Sequence, residues 1–345
     1  MILARGSGKY NRTYTPELWE QVNPENKTIL DDFLSEYRQR KKSARTIEGY
    51  RQDARILLIH LLQKYQNRSI LELTKKEFRN ISLWLSEGMG GTSTDNQGRS
   101  NSRVNRLKSA LNSMLTFCEE DEDYQYEQNL AKKVKGLPKD PVKTDEDDFF
   151  FTFTEFIAVR EKLIEMGDLQ CATLWSLSYD SAGRRNEVYQ VEKAGLLAGN
   201  KTNIVIGKRK KTFPLVYLDD TREIIRQYLD ERGDDDIPSL WVSKLGTEKK
   251  PVTTETLYAR ILKCAKILSE IRGEETNIFP HSIRHSRAEG LLNGEDDRLK
   301  DENGNNKKFT LEEIQAFLHH SDPGATQGYM KDHTEDTINN MFGIS

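Results

Sequence analysis

Between Gly136 and Asp148 the chain runs GLPKDPVKTDEDD, two prolines followed by a run of acids, a stretch that suits neither a helix interior nor the middle of a sheet. It divides the 345 residues into two parts of different character, each long enough to bury its own core. The expected organisation is a tail over 1–27, a helical domain over 28–128, a linker over 129–148 and a second domain over 149–345.

The first part is helical by period. TIEGYRQDARILLIHLL sets Ile47, Tyr50, Ala54, Leu57, Leu58 and Leu61 on one face, with Arg51 and Arg55 one turn apart elsewhere. LTKKEFRNISLWL opens on Thr74 and Glu77 in capping-box spacing, and EGMGGTSTDNQGRSN (87–101) is a loop by composition. SRVNRLKSALNSMLTFC carries Val104, Leu107, Leu111, Met114 and Cys118 as a buried stripe, with Arg103, Arg106 and Lys108 on its other faces. These cations suit a surface that grips phosphates, and they suit equally the solvated faces of an ordinary bundle.

The second part alternates in type. FTEFIAVREKLIEMG, LQCATLWSLSYDSAG, TREIIRQYLDE, TTETLYARILKCAKILSEI, HSIRHSRAEGLL and LEEIQAFLHH have helical period. NIVIGKRKKTFPLVYL is two β-branched runs around a basic turn, a hairpin. The fold class expected is mainly α with a small antiparallel β-sheet: a helical domain followed by an α+β domain.

Several functions are excluded. No run is apolar enough to span a membrane, and MILARGSGKYNR has no signal-peptide core, so a cytoplasmic location without a membrane partner is expected. Cys118, Cys171 and Cys264 are too scattered for a disulfide framework or a zinc site. A net charge of −3 does not advertise a nucleic-acid binder, but the charges are segregated: acids gather at 144–148, 230–236 and 295–302, bases at 41–55 and 207–211.

Four stretches of the second part are polar where core is expected: SAGRRNEV (181–188), GKRKK (207–211), HSIRH (281–285) and HHSDPGATQGY (319–329). Four of the six histidines lie in the last two. The residue types suit phosphoryl transfer on a phosphodiester. A guanidinium offers two planar donors to non-bridging oxygens and stays charged at any working pH. Histidine exchanges protons near neutrality, and lysine does so when its pKa is lowered. A tyrosine, with an ordinary pKa of about 10, needs cations and a base beside it to act as a nucleophile. No carboxylate cluster suited to magnesium accompanies these residues, so neither a metal nor any other cofactor is expected.

At these residues the second part resembles the catalytic domain of the tyrosine recombinases, the phage-integrase family. SAGRRNE is similar to the family's small-residue turn followed by arginine, two variable residues and glutamate, which selects Arg184 and Glu187. HSIRH matches His-x-x-Arg-His, giving His281, Arg284 and the neighbouring His285. LHHSDPGATQGY is similar to the motif in which tyrosine follows a histidine by nine residues, giving His320 and Tyr329. The family's hairpin lysine corresponds best to Lys208, with Lys210 and Lys211 as alternatives. Residues 28–128 likewise resemble the family's DNA-gripping core-binding domain, so Arg51, Arg55, Arg103, Arg106 and Lys108 are candidate DNA contacts.

The resemblance implies a site-specific DNA recombinase of a mobile element. Tyr329 would attack a DNA phosphate and form a 3′-phosphotyrosyl link, with Arg184 and Arg284 on the non-bridging oxygens. Lys208 would protonate the leaving oxygen, His281 would handle protons at the nucleophile with His285 assisting, and His320 would bond the phosphate. Glu187 would orient an arginine. The implied partners are double-stranded DNA and a homotetramer on two sites, with room for an accessory directionality or DNA-bending protein. HTEDTINNMFGIS (333–345) reads as a short amphipathic helix, placing Ile338, Met341 and Phe342 against the same chain or a neighbouring subunit. Rival readings are a type IB topoisomerase and a catalytically silent DNA-binding protein of the same fold. Two departures stand out: His319 replaces the motif's glycine, and NGEDDRLKDENGNNKKF (293–309) lengthens the second-to-third motif gap as an acidic surface insertion.

Overall fold

A computed structural model describes residues 14–87, 99–138, 149–245, 248–276, 278–320 and 326. The loop core at 88–98, the linker segment 139–148, Tyr329 and the helix expected in 333–345 lie outside the described residues. The chain divides into two compact units, 1–141 and 142–345.

In the first unit the described helices are α1 (Pro16–Gln21), α2 (Pro24–Gln39), α3 (Ala44–Lys64), α4 (Lys75–Glu87) and α5 (Asn101–Glu120). Their starts follow side-chain caps. Ser43 Oγ accepts from Thr46 N at 3.1 Å, and Ser100 Oγ accepts from Arg103 N at 3.3 Å. Thr74 and Glu77 form the expected reciprocal pair. Both anticipated stripes are in the core: Leu57, Leu58 and Leu61 from α3 meet Val104, Leu107, Met114 and Cys118 from α5.

Two boundaries differ from expectation. Residues 14–27 are not a tail in their described portion. Thr15 and Asn23, each followed by proline, cap α1 and α2, and Val22 is buried. Asn26 Nδ2 donates to Arg68 O at 2.9 Å while its Oδ1 accepts from Ile70 N at 2.8 Å, locking α2 to a distant loop. Polar side chains make these ties, so no apolar period announces them. Similarly, residues 129–137 are attached to α5 rather than forming a linker. Asn105 exchanges hydrogen bonds of 2.9 Å with the backbone of Leu137, and Ala131 is buried.

His60 of α3 lies buried against Trp84, ring centroids 3.6 Å apart. Burial, followed by the charges of Lys64 and Arg99, pushes its pKa down to about 4. The unfolded chain takes up this proton near pH 6.5, so stability present above 6.5 is lost as pH falls towards 4. The loss should approach about 2 kcal/mol. Urea midpoints at pH 7.5 and 4.5 should therefore diverge less in His60→Gln than in the wild type. Equal divergence would show that His60 is not an acid-sensitive group.

The second unit contains α6 (Phe153–Glu165), α7 (Leu169–Ser181), α8 (Arg185–Tyr189), β1 (Lys201–Ile206), β2 (Thr212–Val216) and α9 (Asp219–Arg232). There follow β3 (Val242–Leu245), β4 (Glu248–Pro251), α10 (Thr254–Arg272), α11 (Pro280–Asn293) and α12 (Leu311–Phe317). Helix α7 is the axis. Every residue from Cys171 to Ser181 is buried, and α6, α9, α10 and α11 pack around it. The expected hairpin is β1–β2, pairing Val205 with Phe213 and Ile206 with Thr212. A second antiparallel pair, β3–β4, was not expected, because its strands are only four residues long and one reads Glu-Lys-Lys-Pro.

Candidate active site

The end of α7 builds the first part of the site. Ala182 caps the helix in the left-handed region at φ 46°, and Gly183 follows where a Cβ would sit 2.9 Å from Val188 Cγ2 and 3.0 Å from Ser181 Oγ. The small residues of SAGRRNE are thus demanded by packing. Arg184 caps α8. Its backbone N donates to Glu187 Oε2 at 2.8 Å and its guanidinium to Glu187 Oε1 at 3.0 Å. Glu187 is buried, whereas the Arg184 side chain retains 26% exposure, so the carboxylate holds the guanidinium from below and leaves its outer edge at the surface.

Helix α11 supplies the second part. Pro280 opens the helix, and Phe279 N donates to Ser282 Oγ at 3.1 Å. Arg284, one turn in, is 3% exposed. Its Nη1 donates to Ala182 O at 2.6 Å, and its Nη2 donates to Leu318 O at 2.5 Å and meets His320 Nε2 at 3.0 Å. Two carbonyls with no side-chain signature therefore place this guanidinium. His281 and His285, four residues apart, have ring centroids 5.6 Å apart. His285 also meets Phe149 edge-on at 5.2 Å. Partial desolvation, then the cations Arg284, Arg184 and Lys208, holds the His281 pKa below its ordinary value.

The third part is the turn after α12. His320 Nδ1 lies 3.0 Å from the hydroxyl of Thr326, a buried residue that sequence reasoning did not select. Guanidinium can only donate, so Nε2 accepts from Arg284 and the proton sits on Nδ1, a tautomer inferred from these partners. Desolvation and then the charges of Arg284 and Arg184 push the His320 pKa down to about 4. Near neutral pH both His281 and His320 are uncharged imidazoles beside permanent cations.

Lys208, Arg209 and Lys210 form the turn between β1 and β2. Lys208 is within electrostatic range of His281, and Lys211 Nζ reaches His319 O at 3.4 Å. The second unit thus brings together Arg184, Glu187, Lys208, His281, Arg284 and His320, with His285 alongside. Tyr329 lies outside the described residues.

A buried ionic network limits the reading of 293–309 as a surface insertion: Lys300 and residues 302–306 are exposed, as expected, but the start of the segment is tied into the unit. Asp296 is 2% exposed and pairs with Arg287 of α11. Arg298 reaches Asp180 at 2.8 Å, Asp220 at 2.9 Å and Asp296 at 2.8 Å, joining α7, α9 and the inserted segment. Burial alone would raise the Asp296 pKa, but Arg298 and Arg287 overcome it and hold the carboxyl below its ordinary value. The acidic composition concealed this because the matching cation lies 118 positions from Asp180. Arg298→Met should cost about 3 kcal/mol in urea unfolding, because Asp180 and Asp296 stay buried with one cation fewer. A loss under about 1 kcal/mol would mean that the network does not brace this unit.

The proposed cations of the first unit have mixed surroundings. Arg103 and Arg106 converge on buried Asp53 at 2.7 and 2.9 Å, and Arg106 keeps 61% side-chain exposure. Arg51 lies beside Glu48, and Arg55 sits over the rings of Tyr14 and Trp19. Lys108 is buried with its ammonium on Lys135 O, so among these five it is the one turned away from solvent.

The model of the Phage integrase family matches residues 155–336. The chain is 24% identical over 329 residues to the SPbeta prophage-derived recombinase-like protein YomM of Bacillus subtilis (strain 168), covering 90% of this chain and 89% of that protein. A lambda integrase tetramer bound to a Holliday junction has a TM-score of 0.63 at 11% identity, over 88% of this chain and 77% of that one. The XerH site-specific recombinase bound to palindromic difH substrate has a TM-score of 0.58 at 17% identity, over 96% and 94%. At these identities the structural likeness is one of fold.

Proposed function

The chain belongs to the phage integrase family, the tyrosine recombinases, whose model spans more than half of it, and from that premise we propose how its residues break and rejoin duplex DNA. The observation that supports the assignment best is Arg284, buried, held by two carbonyls and touching His320, with Arg184 acting on both His281 and His320 and Lys208 on His281. A phosphate monoanion is the ligand such a concentration of cations would accept.

Arg184 and Arg284 take the non-bridging oxygens, and the phosphate displaces the Arg284–His320 contact. His281, neutral near pH 7, accepts the phenolic proton as Tyr329 Oη attacks phosphorus, with His285 in support. The P–O5′ bond breaks as Lys208 gives its proton to the departing 5′ oxygen. The products are a 3′-phosphotyrosyl link and a free 5′ hydroxyl, so the bond energy is retained and no nucleotide is consumed. A 5′ hydroxyl from another strand reverses the step and joins new partners. Exchange requires two duplexes held together, hence four copies of the chain, with Arg103 and Arg106 among the groups gripping backbone phosphates.

Wild-type protein mixed with nicked duplexes of randomised sequence should leave a protein–DNA adduct that survives denaturation and carries a recoverable site. The released 5′ ends should accept label from a polynucleotide kinase. Adducts on every sequence, with relaxation of plasmids lacking a site, would favour the topoisomerase. No adduct at all would favour the silent DNA-binding protein.

A further inference from the structure

We propose that His319 and Phe213 form a positioning contact that holds the lysine turn in register with the His320 turn; this rests on the recombinase reading above. His319 has φ 53°, a left-handed conformation uncommon for a residue with a side chain, although histidine tolerates it better than most. The motif that this segment resembles has glycine here, which would adopt the same backbone without strain. A histidine in its place calls for a compensating contact.

The ring supplies that contact. It stacks on Phe213 of β2 with centroids 3.7 Å apart and planes at 24°. Phe213 belongs to the main core of the second unit and pairs with Val205 across the hairpin. Gly207, at the start of the lysine turn, lies so near that a Cβ would be 2.8 Å from the Phe213 ring and 3.0 Å from Glu187 Oε1. Phe213 is therefore packed between the turn and His319, and Gly207 sets the same turn beside the carboxylate that holds Arg184. The backbone of His319 adds a second tie, its carbonyl accepting from Lys211 Nζ at 3.4 Å.

The turn needs such support. Arg209 and Lys210 both have φ 60°, and neither is the glycine or asparagine that favours two successive left-handed positions. Local sequence does not secure this hairpin tip. General acid catalysis depends on placing the ammonium within hydrogen-bonding reach of the departing oxygen, so a brace on the tip acts on that step specifically. His319 and Phe213 are positioning residues: neither is asked to touch the DNA.

The test uses the full chain and the site recovered by adduct capture, prepared as a nicked duplex with either an ordinary phosphodiester or a 5′-bridging phosphorothiolate at the cleaved bond. A thiolate leaves without a proton, because thiols are far more acidic than alcohols. His319→Gly should cleave the ordinary substrate about tenfold more slowly than wild type and the phosphorothiolate within about twofold. Phe213→Leu, which keeps an apolar core residue, should show the same split. The double variant should be no slower than the slower single, since both remove one contact. The proposal is overturned if His319→Gly matches wild type on the ordinary substrate, or if both substrates slow equally, as a general loss of structure would cause. If wild type itself cleaves neither substrate, the recombinase reading fails instead.

Discussion

Tyr329→Phe should bind the recovered site within about twofold of wild type and form no covalent adduct, a loss of at least ~10⁴ in cleavage rate. The variant removes one oxygen and leaves Arg184, Arg284, His281 and His320 in place. Charge at the phosphate is therefore unchanged and binding should persist, held by backbone contacts that weaken steeply with salt. The loss falls on the covalent step alone. The measurement is a denaturing gel of labelled nicked duplex with both proteins, alongside a binding titration at one fixed salt concentration. An adduct persisting in Tyr329→Phe would require another nucleophile. The Thr326 hydroxyl, 3.0 Å from His320 Nδ1, is the first to examine.

Arg284→Ala should slow single-turnover cleavage by about 10³ and also lower stability by about 2 kcal/mol. The first effect follows from losing the buried donor pair expected to meet a non-bridging oxygen. The second follows from the partners left behind: Ala182 O, Leu318 O and His320 Nε2 lose their donor in a site where Arg284 is only 3% exposed. Arg284→Lys separates charge from shape. An ammonium keeps the positive field but cannot span two carbonyls and a phosphate as a planar fork, so cleavage should remain about 10² below wild type. Urea unfolding of both variants distinguishes a folded but slow enzyme from a damaged one. Cleavage by Arg284→Ala within tenfold of wild type would remove this residue from the transition state.

Much of the chain was legible in advance because its signals are local. The stripe Val104, Leu107, Met114 and Cys118 and the Thr74–Glu77 cap depend only on spacing along one helix, and both are present. The β1–β2 hairpin was likewise readable from two β-branched runs around a turn. Less was visible where polar groups meet across long separations. Asn26 ties α2 to residues 68–70, Asn105 draws in Leu137, and Arg298 joins three acids from separate segments. Composition labels such segments as tail, linker or surface, since it registers polarity but not partnership.

The candidate site divides in the same way. The order and spacing of SAGRRNE, HSIRH and the His320 segment were enough to pick out Arg184, Glu187, His281, Arg284 and His320, because guanidinium and imidazole chemistry is written in residue identity. Where Arg284 is held was decided by the carbonyls of Ala182 and Leu318, groups every residue possesses and no alphabet distinguishes. The Phe213–His319 stack was decided by a hairpin reaching a turn more than a hundred positions away. Periodicity and capping act within a few residues and can be read off a string. The placement of a cation against a backbone oxygen depends on how whole elements pack, and only the folded chain contains that information.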